Sequence, residues 1–152
     1  MGRQRLTVRV SGLPNLPAAA RKPARIAAAV RRAFELERPD ARGEVAVVFV
    51  SRREMLDLNR QYLGHDYDTD VIAFEQAETP GIPPEEAPLG DIYISGWMAA
   101  RSAAELGHSV LREAMTLAAH GSLHLLGHDD HAPRAKARMF KRQERILDDL
   151  KA

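Results

Sequence analysis

Four of the chain's six histidines fall in one short run, His120-Gly121-Ser122-Leu123-His124-Leu125-Leu126-Gly127-His128-Asp129-Asp130-His131. His120 and His124 are four residues apart in a segment with helical periodicity. Side chains so spaced lie one above the other on the same helix face. Two imidazoles in that position can reach one metal ion. A third ligand must come from another direction, and Gly127 supplies the means: glycine takes the left-handed conformation that ends a helix and turns the chain back. The residues delivered after that turn are His128, Asp129, Asp130 and His131, all with ligand-type side chains. Three protein ligands leave a fourth position open, which is the catalytic arrangement of zinc. A His-x3-His pair alone is a weak signal. The competing reading is a set of surface or capping histidines at a helix C-terminus, where the dipole favours a positive charge. Gly121 occupies the position at which His-Glu-x-x-His peptidases carry their general base, so peptidase chemistry of that kind lacks its base here.

The rest of the chain must build the frame for this segment. Arg5 to Ser11 alternates, with Leu6, Val8 and Val10 on one face, and reads as a strand. A Gly/Pro loop follows. Pro23 to Leu36 reads as a helix with proline near its start and Ile26, Ala29, Val30 and Ala33 on its apolar stripe. Glu44 to Val50 is a β-branched run and reads as a buried strand. Ser51 and Glu54 form a capping box for a helix carrying Met55, Leu58 and Tyr62. Val71 to Phe74 and Asp91 to Ser95 read as short strands, separated by a proline-rich surface loop from Glu75 to Pro88. Gly96 to Leu106 reads as a helix ended by Gly107. Ser109 caps a long helix to Leu126, and Pro133 to Leu150 is the last. Strands interleaved with helices predict an α/β or α+β fold with one sheet, residues 1–152 forming a single domain.

Composition sets the outer bounds. The chain has 152 residues, 45% of them hydrophobic and 28% charged, as in ordinary globular domains. There is no cysteine, which excludes disulfides, Cys-based zinc fingers, iron–sulfur clusters and thiol nucleophiles, and is compatible with a cytoplasmic setting. No apolar run approaches the ~20 residues of a membrane span. The N-terminus alternates charged and apolar residues and lacks the apolar core of a signal peptide. A net charge of +1 names no partner.

The histidine run resembles the signature H-G-x-L-H-L-x-G-Y-D-H of the YbeY-type endoribonuclease family, the bacterial rRNA maturation factors. Two further stretches are similar to that family. Leu58-Asn59-Arg60-Gln61-Tyr62-Leu63-Gly64-His65-Asp66-Tyr67-Asp68-Thr69-Asp70-Val71-Ile72-Ala73-Phe74 follows L-N-R-x-Y-R-x-x-D-x-x-T-D-V-L-S-F. Leu89-Gly90-Asp91-Ile92-Tyr93-Ile94-Ser95 follows G-D-I-x-I-S. The three occur in family order and cover roughly Arg42 to the end. The resemblance implies a compact fold with a small mixed sheet of four strands, about five helices, and the metal site on the helix ending near Leu126. It also implies one zinc ion, metal-dependent cleavage of single-stranded RNA, and a role in 16S rRNA 3′-end processing and ribosome quality control, with ribosomal particles as partners.

The sequence departs from the family pattern at two places. The third histidine of the pattern falls at Asp130, with His131 one position later, so the third ligand to zinc is Asp130 by register or His131 by ligand preference. Leu63 stands where many members carry arginine, while Arg60 remains as a cation able to contact phosphate.

Other residues have two readings each. Asp66, Asp68 and Asp70 are either partners that orient a ligand histidine or turn residues. Tyr62, Tyr93 and Trp97 are either base-stacking platforms or core, and with so few aromatics core is the expectation. Arg134, Arg138, Lys141 and Arg145 recur on one face of the last helix, joined by Arg142, as a phosphate-binding stripe or a solvated face. Arg21, Lys22, Arg25, Arg31 and Arg32 form a second basic region. Arg60 and Asp129 are the candidates for catalytic roles beyond the metal, Arg60 on phosphate and Asp129 as a base. The alternatives to RNA cleavage are hydrolysis of another substrate and ribosome assembly with a mainly structural zinc.

Overall fold

The computed structural model describes residues 5–76, 81 and 88–152. Its centre is a β-branched strand, β2 (Arg42–Val50), whose alternate residues Val45, Val47 and Phe49 are buried. A strand buried on both edges needs two neighbours. β1 (Arg5–Ser11) pairs with it in parallel on one side and β4 (Pro88–Ser95) in parallel on the other. β3 (Val71–Glu75) closes the sheet as an antiparallel edge on β4, giving the order β1-β2-β4-β3. The sheet is therefore mixed and four-stranded, as the family resemblance implies.

Five α-helices surround it: α1 (Pro23–Glu37), α2 (Arg52–Leu58), α3 (Gly96–Leu106), α4 (Val110–Leu125) and α5 (Pro133–Asp149). One sheet face, with Val45, Val47, Phe49, Ile92 and Ile94, joins α1, α4 and α5 in the main core. The other face carries a smaller cluster of Val50, Met55 and Ile72 under α2. The helix signals in the sequence have their expected roles. Ser51 Oγ accepts from the Glu54 N–H at 3.1 Å while Glu54 accepts from the Ser51 N–H at 3.0 Å, completing the capping box. Ser109 caps α4 through the Arg112 N–H at 3.0 Å.

α4 is seated close against the sheet because it has a glycine where it crosses β4. A Cβ on Gly121 would lie 2.5 Å from Ile92 Cγ2. One turn on, Leu125 occupies the space that a side chain on Gly90 would need. The closeness of this contact fixes the height of the histidine-bearing helix above the strands.

Several expectations need correction. Tyr62 does not continue the apolar stripe of α2. The α-helix stops at Leu58 and widens into a π-helical turn, Asn59–Leu63, closed by Gly64 in the left-handed region. The extra residue in the turn carries Tyr62 off the apolar face, and it is 57% exposed. The expectation that most aromatics are core fails more widely. Only Phe34 and Phe49 are fully buried, while Tyr67 and Phe140 are exposed and Phe74, Tyr93 and Trp97 are half-buried. The second basic region is largely structural: Arg21, Arg25 and Arg31 donate to the backbone carbonyls of Leu16, Leu150 and Leu6, and Arg32 pairs with Asp149. The proline-rich loop starts after Glu75, and its residues 77–80 and 82–87 lie outside those described. No helix among the described residues is long and apolar enough to cross a membrane.

Candidate metal centre

Burial of one face of α4 turns His120 and His124 to the opposite side, near its C-terminal end, where both are half-buried. Their Nε2 atoms are 3.1 Å apart. After the helix, Gly127 adopts φ +96° and the His128 N–H returns to the Leu123 carbonyl at 2.9 Å. This turn carries Asp130 over the histidines, with its Oδ2 3.6 Å from each Nε2. Donor atoms about 2.0–2.2 Å from a tetrahedral ion lie roughly 3.3–3.6 Å from one another. Of the three edges observed, the two of 3.6 Å fall in that range and the one of 3.1 Å lies just short of it, so a small adjustment of the two rings accommodates a single small cation.

The outer ring nitrogens decide the tautomers. His124 Nδ1–H donates to the His128 carbonyl at 3.1 Å, and His120 Nδ1–H donates to Gln143 Oε1 at 3.0 Å. With the protons held on Nδ1, both Nε2 atoms are bare and their lone pairs face one another. Burial, with the neighbouring His120 charge second, holds His124 below the ordinary histidine value against the opposing pull of Asp130. Its neutral, ligating form is thus the favoured one. The C-terminal end of the α4 dipole adds negative potential at the same place. Two imidazoles with inward-facing Nε2 atoms, a carboxylate and a helix C-terminus together suit a cation by charge as well as by distance. His131 does not join it. Its side chain is 91% exposed, its N–H is tied to Asp129 Oδ1 at 2.8 Å, and its ring lies 3.8 Å from that same oxygen.

The sequence profile described as endoribonuclease YbeY matches residues 18–151. This chain belongs to that family. Relatives named endoribonuclease YbeY include those of Desulforamulus reducens, 45% identical over 115 residues and 74% of each chain, and of Elusimicrobium minutum, 40% identical over 106 residues, 70% of this chain and 73% of that one. The solution structure of TM1509 from Thermotoga maritima has the same fold, with a TM-score of 0.62 at 24% identity, covering 95% of this chain and 89% of the other.

The remaining motif residues of this YbeY family member are distributed as follows. His128, where the family pattern has tyrosine, is turned away from the donor cluster and donates from Nε2 to both carboxylate oxygens of Glu37, at 2.7 and 2.8 Å. Asp129 is exposed beside Asp130 and takes part in a tight turn through the His131 N–H. Arg60 Nε donates to Asp66 Oδ1 at 2.5 Å, with the side chain still 56% exposed. Asp66 and Asp68 do not orient the histidines: Asp68 takes two hydrogen bonds from Arg52, at 2.9 and 3.1 Å, and Asp66 takes Arg60. Asp70 supplies its backbone carbonyl to the Ser95 N–H. Trp97 is no open platform, because the Arg52 guanidinium sits 4.0 Å from its ring centroid and Arg101 sits 5.2 Å away. Tyr62, Phe74 and Tyr93 instead form an edge-to-face series.

On α5, Arg142 pairs with Glu37 and Arg145 with Asp149, whereas Arg134, Arg138 and Lys141 make no hydrogen bond or ion pair among the described residues. A groove of about 390 Å³ beside His128 is lined by Arg138, Lys141, Arg142 and Arg145 together with Glu37. Sequence reasoning missed Gln143 and Glu37. Gln143 lies on α5, next to the basic stripe, and Glu37 is the last residue of α1. No local signal marks either as facing the histidines.

Proposed function

We propose that this chain is a zinc-dependent endoribonuclease that cleaves single-stranded RNA in rRNA maturation, including 16S 3′-end processing, in the cytoplasm and on ribosomal particles. His120, His124 and Asp130 hold one zinc ion in this reading. The observation that carries it is the pair of bare Nε2 atoms 3.1 Å apart with a carboxylate oxygen 3.6 Å from both. Two lone pairs at that distance repel, and a cation between them removes the repulsion. Zinc there supplies a Lewis acid for a phosphoryl oxygen and a water made acidic enough to react near neutral pH.

The protein's own residues do the rest. Gln143 and the His128 carbonyl keep the imidazoles in the ligating tautomer. Asp130 brings a negative charge where the family pattern has a neutral histidine, which makes the centre less positive. Arg138 and Lys141 in the α5 groove, and Arg134 beyond it, are cations without a partner among the described residues and attract the RNA backbone. Arg60 has its Nε–H engaged by Asp66 and its Nη1 3.9 Å from Asp57, and offers its remaining N–H groups to a phosphate. Asp129, exposed beside the donor cluster, is the carboxylate assigned to take up a proton.

The experiment is cleavage of a single-stranded RNA by purified protein, with and without chelator, with zinc re-addition and a His124→Ala control. Chelator-sensitive cleavage restored by zinc and absent from the variant is expected. Cleavage indifferent to chelator and mutation would overturn the reading. The peptidase alternative is disfavoured by Gly121, whose position faces Ile92 in the core. One observation favours a second reading, a ribosome-assembly factor with a mainly structural zinc: Leu63, where the family pattern has arginine, presents an apolar side chain 44% exposed. Zinc binding and particle binding without cleavage would select it.

A further inference from the structure

The two histidines are oriented by acceptors that are not free to choose their own positions. His124 depends on a backbone carbonyl, that of His128, so its orientation follows wherever that peptide is held. The His128 ring is anchored to Glu37, bridging both carboxylate oxygens at 2.7 and 2.8 Å. His120 depends on Gln143, and the residue before it, Arg142, donates from Nε to the same Glu37 Oε2 at 3.1 Å. One carboxylate at the end of α1 thus ties down the neighbours of both acceptors, one in the loop after α4 and one on α5. Glu37 and His128 are each only 19% exposed at the side chain, so these bonds are shielded from competing water. The family pattern has tyrosine at His128, so the imidazole half of the tie belongs to this chain.

We propose that Glu37 is a positioning residue of the metal centre: through His128 and Arg142 it sets the acceptors that hold His124 and His120 with Nε2 directed at the ion. Glu37 is not among the donor atoms that face the ion and acts on them through its neighbours. The inference rests on the metal reading above. Without the carboxylate, the His128 ring and Arg142 lose their shared acceptor, the loop after Gly127 gains freedom, and the His124 proton is no longer committed to Nδ1. Outer partners of ligand histidines are commonly worth about 10–100-fold in metal affinity.

The test uses full-length protein with Glu37→Ala, Glu37→Gln and His128→Phe. Zinc affinity is measured by competition with a chromophoric chelator, and the tautomer of His124 by imidazole nitrogen NMR of the metal-free protein. Glu37→Ala is expected to weaken zinc binding by about 10–100-fold and to convert His124 from a single Nδ1–H tautomer to a mixture. Glu37→Gln keeps one accepting oxygen and falls between. Combining Glu37→Ala with His128→Phe is expected to be no worse than Glu37→Ala alone, because both act along one path. Affinity within about twofold of the parent, with the tautomer unchanged, overturns the proposal. Additive losses in the double variant overturn it too. If Glu37→Ala does not fold, the other two single variants decide by the same criteria. If the parent itself binds no zinc, the metal reading fails, and the His124 tautomer still decides the role of Glu37.

Discussion

Two of the three regions that carry family motifs differ in what they leave open. In the segment from Asn59 to Asp70 most charges are paired within reach, Arg60 with Asp66 and Asp68 with Arg52, and Asn59 Nδ2–H donates to the Tyr67 carbonyl at 2.7 Å while its buried Oδ1 accepts no hydrogen bond. At the end of α4 the hydrogen bonds satisfy the outer nitrogen of each imidazole and leave both inner nitrogens bare. Residue type and motif spacing marked the two regions alike. What separates them is how their donors converge: the first region holds ion pairs and one isolated buried acceptor, whereas at the end of α4 two imidazole nitrogens and a carboxylate oxygen lie within 3.6 Å of one another.

The contrast can be broken most directly at the bare nitrogens. His124→Ala is expected to lower zinc affinity and RNA cleavage by at least ~100-fold while leaving the fold intact by circular dichroism. Retained zinc binding would place the ion elsewhere. Next, Asp130→Ala is expected to cost about 10–100-fold in zinc affinity and His131→Ala less than about threefold, read by the same chelator competition. The reverse order would mean that the loop rearranges to bring His131 in. Arg60→Ala tests the matched region. A rise of about 3–10-fold in KM for RNA with kcat nearly constant is expected, since a partly engaged guanidinium contributes binding rather than chemistry. A collapse of kcat would move Arg60 into the reacting centre.

The smallest effect is a pH dependence of stability at Asp68. The hydrogen bond from Arg52 holds this carboxyl below the ordinary aspartate range. A depressed folded value means stability that is present above the unfolded pKa and lost as pH falls through the folded one. The melting temperature of Asp68→Asn is therefore expected to lie slightly below that of the parent near neutral pH, with the gap closing as pH drops below about 4. A gap that stays constant with pH would show that the pair contributes no charge-dependent stability.

How much of this could be read in the sequence follows from the range of the interactions. His120, His124 and the turn at Gly127 lie within one helix and its cap, so local spacing revealed them. The capping box, the serine caps and the glycine stops are also local, and the helices begin and end close to where those residues place them. Gln143 is 23 residues from His120, and Glu37 is 91 residues from His128. Those contacts exist only because α1 and α5 are laid beside the end of α4, and no periodicity encodes that. The choice between Asp130 and His131 was open for a related reason. In this structure Asp129 accepts from the His131 N–H, the His131 side chain is exposed, and Asp130 is the residue 3.6 Å from both histidines. The displacement of Tyr62 came from a single extra residue in a helical turn, which a pattern of apolar spacing does not register.

Gly121 has a consequence for how such an enzyme can change. The residue that serves as base in a His-Glu-x-x-His peptidase follows the first histidine, and here that position is pressed onto Ile92 with no room for a Cβ. A glutamate introduced there would be driven into the sheet, and the helix would have to lift off β4 to admit it. The barrier between the two chemistries is thus a matter of how the helix is seated. A glutamate at that position is therefore expected to loosen the contact between α4 and β4 before it can serve as a base.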